Sequence, residues 1–375
     1  MPRMATLDRM RGMHRILGLP NTLRRAASAG AIGVAALAAV TACQSTPAAA
    51  PTTAPAAPTT APAAAAPKPT TAPAAGAPAA AGAVGPDTYI AIISKGFQHQ
   101  FWQAVKQGAD KAATDFNVKI TFEGPETEAM VDKQIEMLQT ALGKNPSALA
   151  FAALDSKAAI PLLQQAQSRK IPVIGFDSGV DSDIPVTTAA TDNIAAAGYA
   201  ADKMAELIGD KGEVALVVHD QTSRTGIDRR DGFLNEMKAK HPDVQIVDVQ
   251  YGAGDQLKST DITKAIIAAH PNLKGIFGAN EGSIVGVLNG VHESGKDNKI
   301  VIIGYDSGQQ QLDAIRSGVQ AGAITQDPIG IGYKSVEAAV KAIKGEQLPK
   351  TIDTGFHWYD KTNIDSDQIK PLLYN

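Results

Sequence analysis

Ile171-Pro-Val-Ile-Gly-Phe-Asp-Ser-Gly179 returns further along the chain as Ile300-Val-Ile-Ile-Gly-Tyr-Asp-Ser-Gly308. Each copy is a short apolar run rich in β-branched residues, followed by an aromatic and Asp-Ser-Gly. A continuous apolar run of this length, closed by turn residues, reads as a strand of a parallel sheet buried on both faces. The Asp then stands just past the strand's carboxyl end, the edge at which open α/β sheets bind ligands. Two copies with matching flanks predict a duplicated α/β architecture with one cleft lined from both halves. A plainer reading is that Asp177 and Asp306 only cap the helix or turn that follows each strand.

Outward from these two strands the pattern alternates. In the first half, strands are expected at Tyr89–Ile93, Val118–Phe122, Ala148–Ala152 and Pro172–Phe176. Between the first two, Trp102, Val105, Ala109, Ala112 and Phe116 form one helical stripe. A second series opens with a helix near Asn193. Strands follow at Val214–Val218, Val244–Val249, Leu273–Gly278 and Lys299–Gly304. Regular strand–helix alternation means βαβ units and parallel sheets.

The start of the chain is of another kind. Met1–Arg25 holds six arginines and one acid, and an apolar, small-residue run follows from Ala26 to Ala42. A basic segment ahead of an apolar one is the pattern of an export signal, assigned here to residues 1–42. The lone cysteine of the chain, Cys43, closes Val40-Thr41-Ala42-Cys43, which resembles a bacterial lipobox and predicts lipidation at Cys43. Residues 43–85 then form a tether of Ala, Pro and Thr with one charge, Lys68, and nothing to bury. With the signal removed, 29 basic and 37 acidic residues remain of the original 35 and 38, a net −8. An acidic chain without a Lys/Arg cluster argues against nucleic acid as a partner.

The loops after the strands carry the chemistry. Ser94 and Lys95 come first, with Phe101 and Trp102 at a helix start. Asp155 and Ser156 follow the third strand, Asp177 and Ser178 the fourth. His219-Asp220, Asn280-Glu281, Tyr305-Asp306 and Gln326-Asp327 follow in the second half, and Arg229 lies on the helix after His219-Asp220. Carboxylates and amides pair with vicinal hydroxyls, Arg donates through a fixed fork, and flat aromatic faces cover C–H surfaces. Sugars and polyols require this mixture. Enzyme signals are weak: no Gly-rich phosphate loop, no Gly-x-Ser-x-Gly elbow, no metal-like histidine spacing. No catalytic residue, metal or cofactor is expected. His241 and His270, each before a Pro, read as helix C-terminal caps.

Taken in order, these motifs resemble a known family from Thr88 to about Gly355. The resemblance rests on Ser94 with Phe101-Trp102 and Gly108-Ala109, on Ile171-Pro-Val-Ile174 with Asp177, and on Ala190-Thr-Asp-Asn193. It continues through Arg229-Arg-Asp-Gly-Phe233, Phe277-Gly-Ala-Asn280, Gly304-Tyr-Asp306 and Gln326-Asp-Pro328. The chain is similar to ribose-type periplasmic sugar-binding proteins of ABC importers, whose ligand domain is shared with LacI-type repressors. That resemblance implies an α/β fold of the type I periplasmic binding protein, two Rossmann-like lobes with parallel sheets joined by three hinge crossings. It places residues 86–190 and 327–354 in an N-terminal lobe and 191–326 and 355–375 in a C-terminal lobe. Phe101 and Trp102 would cover the sugar ring, and Asp177, Arg229, Asn280, Asp306 and Gln326 would bind its hydroxyls. Ser94, His99, Ser178 and Tyr305 complete the expected site.

There are departures from the family pattern. Ser178 stands where ribose binders tend to have Arg, and Ala152 where they have Asn. Gly254 replaces an aromatic, and His99 lies in a slightly longer loop. Loss of an Arg and an aromatic leaves room for a larger, differently oriented or acyclic ligand. The expected partners are a sugar or polyol, an ABC permease and, through the lipid anchor, the outer face of the cytoplasmic membrane. The protein is expected to act as a monomer. A receptor presenting the same ligand to a chemotaxis or two-component sensor is the alternative. The export signal and the lack of a helix-turn-helix exclude a repressor.

Overall fold

The computed structural model describes residues 83–374. The export signal, Cys43 and nearly all of the tether lie outside the described residues.

Five strands build the first sheet in chain order: β1 (Tyr89–Ile93), β2 (Lys119–Glu123), β3 (Ala148–Phe151), β4 (Val173–Phe176) and β5 (Thr187–Ala190). The helices between them are α1 (Gln100–Asp115), α2 (Val131–Gly143) and α3 (Ile160–Ser168). The chain then crosses into α4 (Asn193–Ile208) and a second series. Its strands are β6 (Gly212–Val218), β7 (Val244–Tyr251), β8 (Leu273–Gly278), β9 (Val301–Tyr305) and β10 (Gly322–Gln326). Its helices are α5 (Arg224–Lys240), α6 (Gln256–Ala269), α7 (Glu281–Glu293) and α8 (Gln309–Ser317). Finally α9 (Pro328–Ile343) and β11 (Thr351–Asp353) return to the first lobe, and β12 (Phe356–Tyr359) joins the second.

The sheet orders are β2-β1-β3-β4-β5-β11 and β7-β6-β8-β9-β10-β12, one topology used twice. In each, the order reverses beside the first strand, which opens a crevice at the carboxyl edge. β1, β3, β4, β6, β8, β9 and β10 are largely buried because helices cover both faces. α1 and α9 pack on one face of the first sheet, α2 and α3 on the other. In the second lobe α4 and α5 cover one face, α6 and α7 the other. α1 and α9 meet backbone to backbone, for a Cβ on Gly108 would strike the Ile329 carbonyl and one on Gly332 the Val105 carbonyl.

Three crossings join the lobes, after β5, after β10, and between β11 and β12. The sheets are parallel as expected but for one edge strand, since β12 runs antiparallel to β10. The carboxyl edges of the two sheets face each other across the cleft. A chain leaving β11 at that edge, with only Thr354 and Gly355 between, enters the second sheet from its carboxyl edge and must run against it. Gly355 takes φ +75°, a left-handed conformation at the turn point. α6 begins at Gln256 because Asp255 accepts from Lys258 N and caps it. His241 and His270 stand at the C-caps of α5 and α6.

Candidate functional site

The repeated strand ends fix two carboxylates by one local geometry. Asp177 N donates to Ala189 O (2.9 Å) and Asp306 N to Ile324 O (2.7 Å), each reaching the next strand of its own sheet. Both residues have positive φ, +53° and +80°. Asp and Asn tolerate that region better than other non-glycine residues. Neither caps a helix that follows it: no helix begins beside Asp177, and α8 starts after Gly308 with no side-chain cap. Both carboxylates line the same interlobe cleft.

They differ in what holds them. Among the described residues no protein donor reaches the Asp177 carboxylate. Burial pushes its pKa up to about 6, although Lys95 and Arg229 pull it down. Asp306 is tied on both oxygens, accepting from Glu281 N (2.9 Å) and Gln326 Nε2 (2.8 Å). Arg229 lies 4.0 Å from it. The Arg229 guanidinium stacks on the Tyr305 ring at 3.7 Å and donates to Asn193 Oδ1 (2.7 Å) and Ala279 O (2.9 Å). Burial works against its charge, but Tyr305, Asp306, Asp177 and Glu128 outweigh burial and raise its pKa.

Phe101 and Trp102, on the first turn of α1, form the aromatic wall, ring to edge at 5.0 Å. Trp102 Nε1 donates to Glu128 Oε1 (2.8 Å), and Asn280 Nδ2 reaches Glu128 Oε2 from the other lobe (3.3 Å). Burial raises the Glu128 carboxyl, but Lys95, His99, His219 and the Trp102 N–H together hold it below its usual range. Burial also holds the His219 imidazole well below its usual range, so it is neutral. Four buried atoms at the cleft have no hydrogen-bond partner: both ring nitrogens of His99, Nδ1 of His219 and Oε1 of Gln326. Buried polar groups are ordinarily paired, and such a cluster marks where a hydroxyl-bearing molecule would complete the bonding.

Of the expected site residues, His99, Phe101, Trp102, Asp177, Arg229, Asn280, Asp306 and Gln326 line this cleft. Ser94, Ser178 and Tyr305 do not. The Ser94 hydroxyl turns to the Gly96 and Glu123 carbonyls. The Ser178 hydroxyl faces Thr225 N at 3.5 Å. Tyr305 lies beneath Arg229, its hydroxyl donating to Asn193 Oδ1 (2.9 Å). Four further residues line it outside the expected set: Lys95 and His219, both just past strand ends, and Glu128 and Thr225.

Two of these answer the departures from the family pattern. Lys95 Nζ lies 3.1 Å from Thr225 Oγ1, so a cation from β1 stands beside the position where Ser178 brings none. A Cβ on Gly254 would lie 3.1 Å from Glu128 Oε2 and 3.4 Å from His99 Nε2, so polar side chains fill the space of the missing aromatic. The expected extra room is therefore absent. Little open space remains in the cleft, about 20 Å³, on the order of one water site.

The lobes are closed on each other. Gln98 Nε2 reaches Gly254 O (3.4 Å), Ser156 N donates to Thr222 O (2.9 Å), and Lys95 inserts between Ser223 and Thr225 of the opposite lobe. Tyr374 closes the back, its ring 6.1 Å from Phe101 and its hydroxyl accepting from Ser307 N (3.2 Å).

Comparison with known proteins agrees with this geometry. A family model described as a periplasmic binding protein domain matches residues 90–347. The D-allose-binding periplasmic protein of Escherichia coli is 25% identical over 268 residues, 69% of this chain and 86% of its own length. The ribose import binding protein RbsB of Salmonella typhimurium is 26% identical over 269 residues, 72% of this chain and 89% of its own. Among solved structures, an ABC transporter solute-binding protein from Agrobacterium vitis with bound D-fucose is 33% identical. It superposes with a TM-score of 0.74 over 76% of this chain and all of its own. A second protein from that organism, bound to α-D-tagatopyranose, is 31% identical with a TM-score of 0.74, covering 77% of this chain and 100% of its own.

Proposed function

From the premise that this chain belongs to the periplasmic binding protein domain family, we propose that it is a lipid-anchored receptor for a small neutral monosaccharide or polyol. It serves as the extracytoplasmic sugar- or polyol-binding protein of an ABC importer, delivering its ligand to a membrane permease. The observation that carries the ligand class is the pairing of Asp177 with Asp306. One carboxylate has no protein donor, and the other is held rigidly from the equivalent strand of the facing lobe. With Glu128 they make three acids against the cations Lys95 and Arg229, a balance that repels anionic sugars and suits hydroxyl donors. The alternative role, presenting the ligand to a sensor, uses the same cleft.

A melting screen of pentoses, hexoses, inositols, acyclic polyols and sugar phosphates tests the class. A ligand at 100 times its Kd stabilises the protein by about 2.7 kcal/mol, so a neutral monosaccharide or polyol should raise Tm by several degrees. Sugar phosphates should not. A rise with phosphates alone would reject the reading.

The anchor rests on the lipobox-like Val40-Thr41-Ala42-Cys43 and the absence of any other cysteine. Intact mass of membrane-extracted protein should give a diacylglyceryl-modified chain beginning at Cys43. An unmodified, soluble chain cut elsewhere would remove the anchor from the proposal and leave the cleft untouched.

A further inference from the structure

We propose that Glu281 is a positioning residue that holds the lobes shut by exchanging helix caps between them, without touching the ligand. The proposal rests on the sugar-binding reading above. A helix leaves its first N–H groups unpaired unless something outside it accepts from them. α1 has no capping side chain at His99 and no acid in its first turn. Its cap comes from the opposite lobe: Gln100 N donates to Glu281 Oε1 (3.0 Å) and Phe101 N to Glu281 Oε2 (3.1 Å). α8 is also uncapped at Gly308. Its first N–H, on Gln309, donates to Gln100 Oε1 (2.8 Å), a cap sent back across the cleft. Gly308 makes room for the exchange, since a Cβ there would lie 3.0 Å from the Glu281 carboxylate and 3.1 Å from Gln100 Oε1.

Glu281 also joins the two walls of the cleft. Its backbone N–H holds Asp306, while its carboxylate holds the turn that presents Phe101 and Trp102. A carboxylate at a helix N-terminus is favoured by the helix dipole as well as by the hydrogen bonds. Opening the lobes returns these groups to water, so the bonds belong to the closed state only. Apparent affinity scales with the population of the binding-competent state, so losing the exchange weakens every ligand by one factor.

Glu281→Ala is the test, with Gln100→Ala as a second variant that removes only the return cap. Against the sugars found in the melting screen, Glu281→Ala should weaken Kd by about ten- to a hundredfold, mostly through faster dissociation. The ranking of sugars should stay unchanged. Gln100→Ala should give a smaller loss of the same kind. Unchanged Kd and dissociation rate in Glu281→Ala, or an altered ranking, would overturn the proposal. If the native chain binds no sugar at all, the sugar-binding reading fails, and small-angle scattering of the ligand-free chains decides the latch. A larger radius of gyration for Glu281→Ala than for the native chain supports it, and equal radii overturn it.

Discussion

Arg229→Ala is expected to abolish binding in calorimetry and to lower the stability of the closed form. The guanidinium lies against the Tyr305 ring and is anchored by Asn193 and the Ala279 carbonyl. It is the cation facing Asp306. Without it, Asp306, Asp177 and Glu128 are left buried around one cleft with Lys95 as the remaining cation. Removing one partner of a buried charge pair costs about 3–5 kcal/mol, which in affinity is on the order of a hundredfold to several thousandfold. Arg229→Lys keeps the charge but loses the fork and the flat face that stacks on Tyr305. It should recover only part of the affinity. Arg229→Ala binding within threefold of the native chain would refute the assignment.

Asp177→Asn should split binding from stability. Its carboxyl, raised from 3.8 to about 6 by burial, binds more protons folded than unfolded between those values. Stability of the closed, ligand-free chain therefore falls as pH rises through that window, and the loss is fully present above pH 6. A shift of this size corresponds to on the order of 3 kcal/mol, less whatever is relieved when the lobes open and wet the group. Asn carries no charge, so the variant should melt higher than the native chain at pH 7.5, with the difference shrinking toward pH 4. Its affinity should drop by about tenfold to over a hundredfold, because a hydroxyl loses its ionic acceptor. Asp155→Ala is the matched control. That strand-end Asp accepts from Lys157 N and Ala158 N and should leave Kd unchanged. A crippled Asp155→Ala beside a normal Asp177→Asn would mean that the strand-end repeat does not mark the binding site.

The fold was legible where burial dictates composition. Strands covered on both faces must be apolar, so their runs stand out, and the repeat around Asp177 and Asp306 exposed the duplication directly. β5, β11 and β12 were not, being three or four residues each, too short to show a period. They exist because the hinge crossings deliver the chain to a sheet edge. In the site, residues at the ends of strong strands could be read. Glu128 could not, because it ends no strand. A loop after β2 carries it over the cleft, fixed by its backbone N–H donating to Gln98 Oε1 (2.7 Å). The one local signal is the pair of acids in Pro125-Glu-Thr-Glu128, in the loop beyond β2. Lys95 was visible beside Ser94, yet its partners Ser223 and Thr225 lie about 130 residues later, a pairing no local pattern encodes.

The tight crossing of α1 and α9 bears on how the chain acquires its structure. Gly108 and Gly332 bring these helices together, with Val105 and Ala109 of α1 against Gly332 of α9. Residues 193–326, by contrast, carry five of the six strands of their own sheet in one continuous stretch. A chain emerging from its amino end would therefore have the second lobe's core ready to condense while α1 still waited for residues 328–343. The first half to be made is the last to finish, and until then its unpaired face is the part of the nascent chain most open to aggregation.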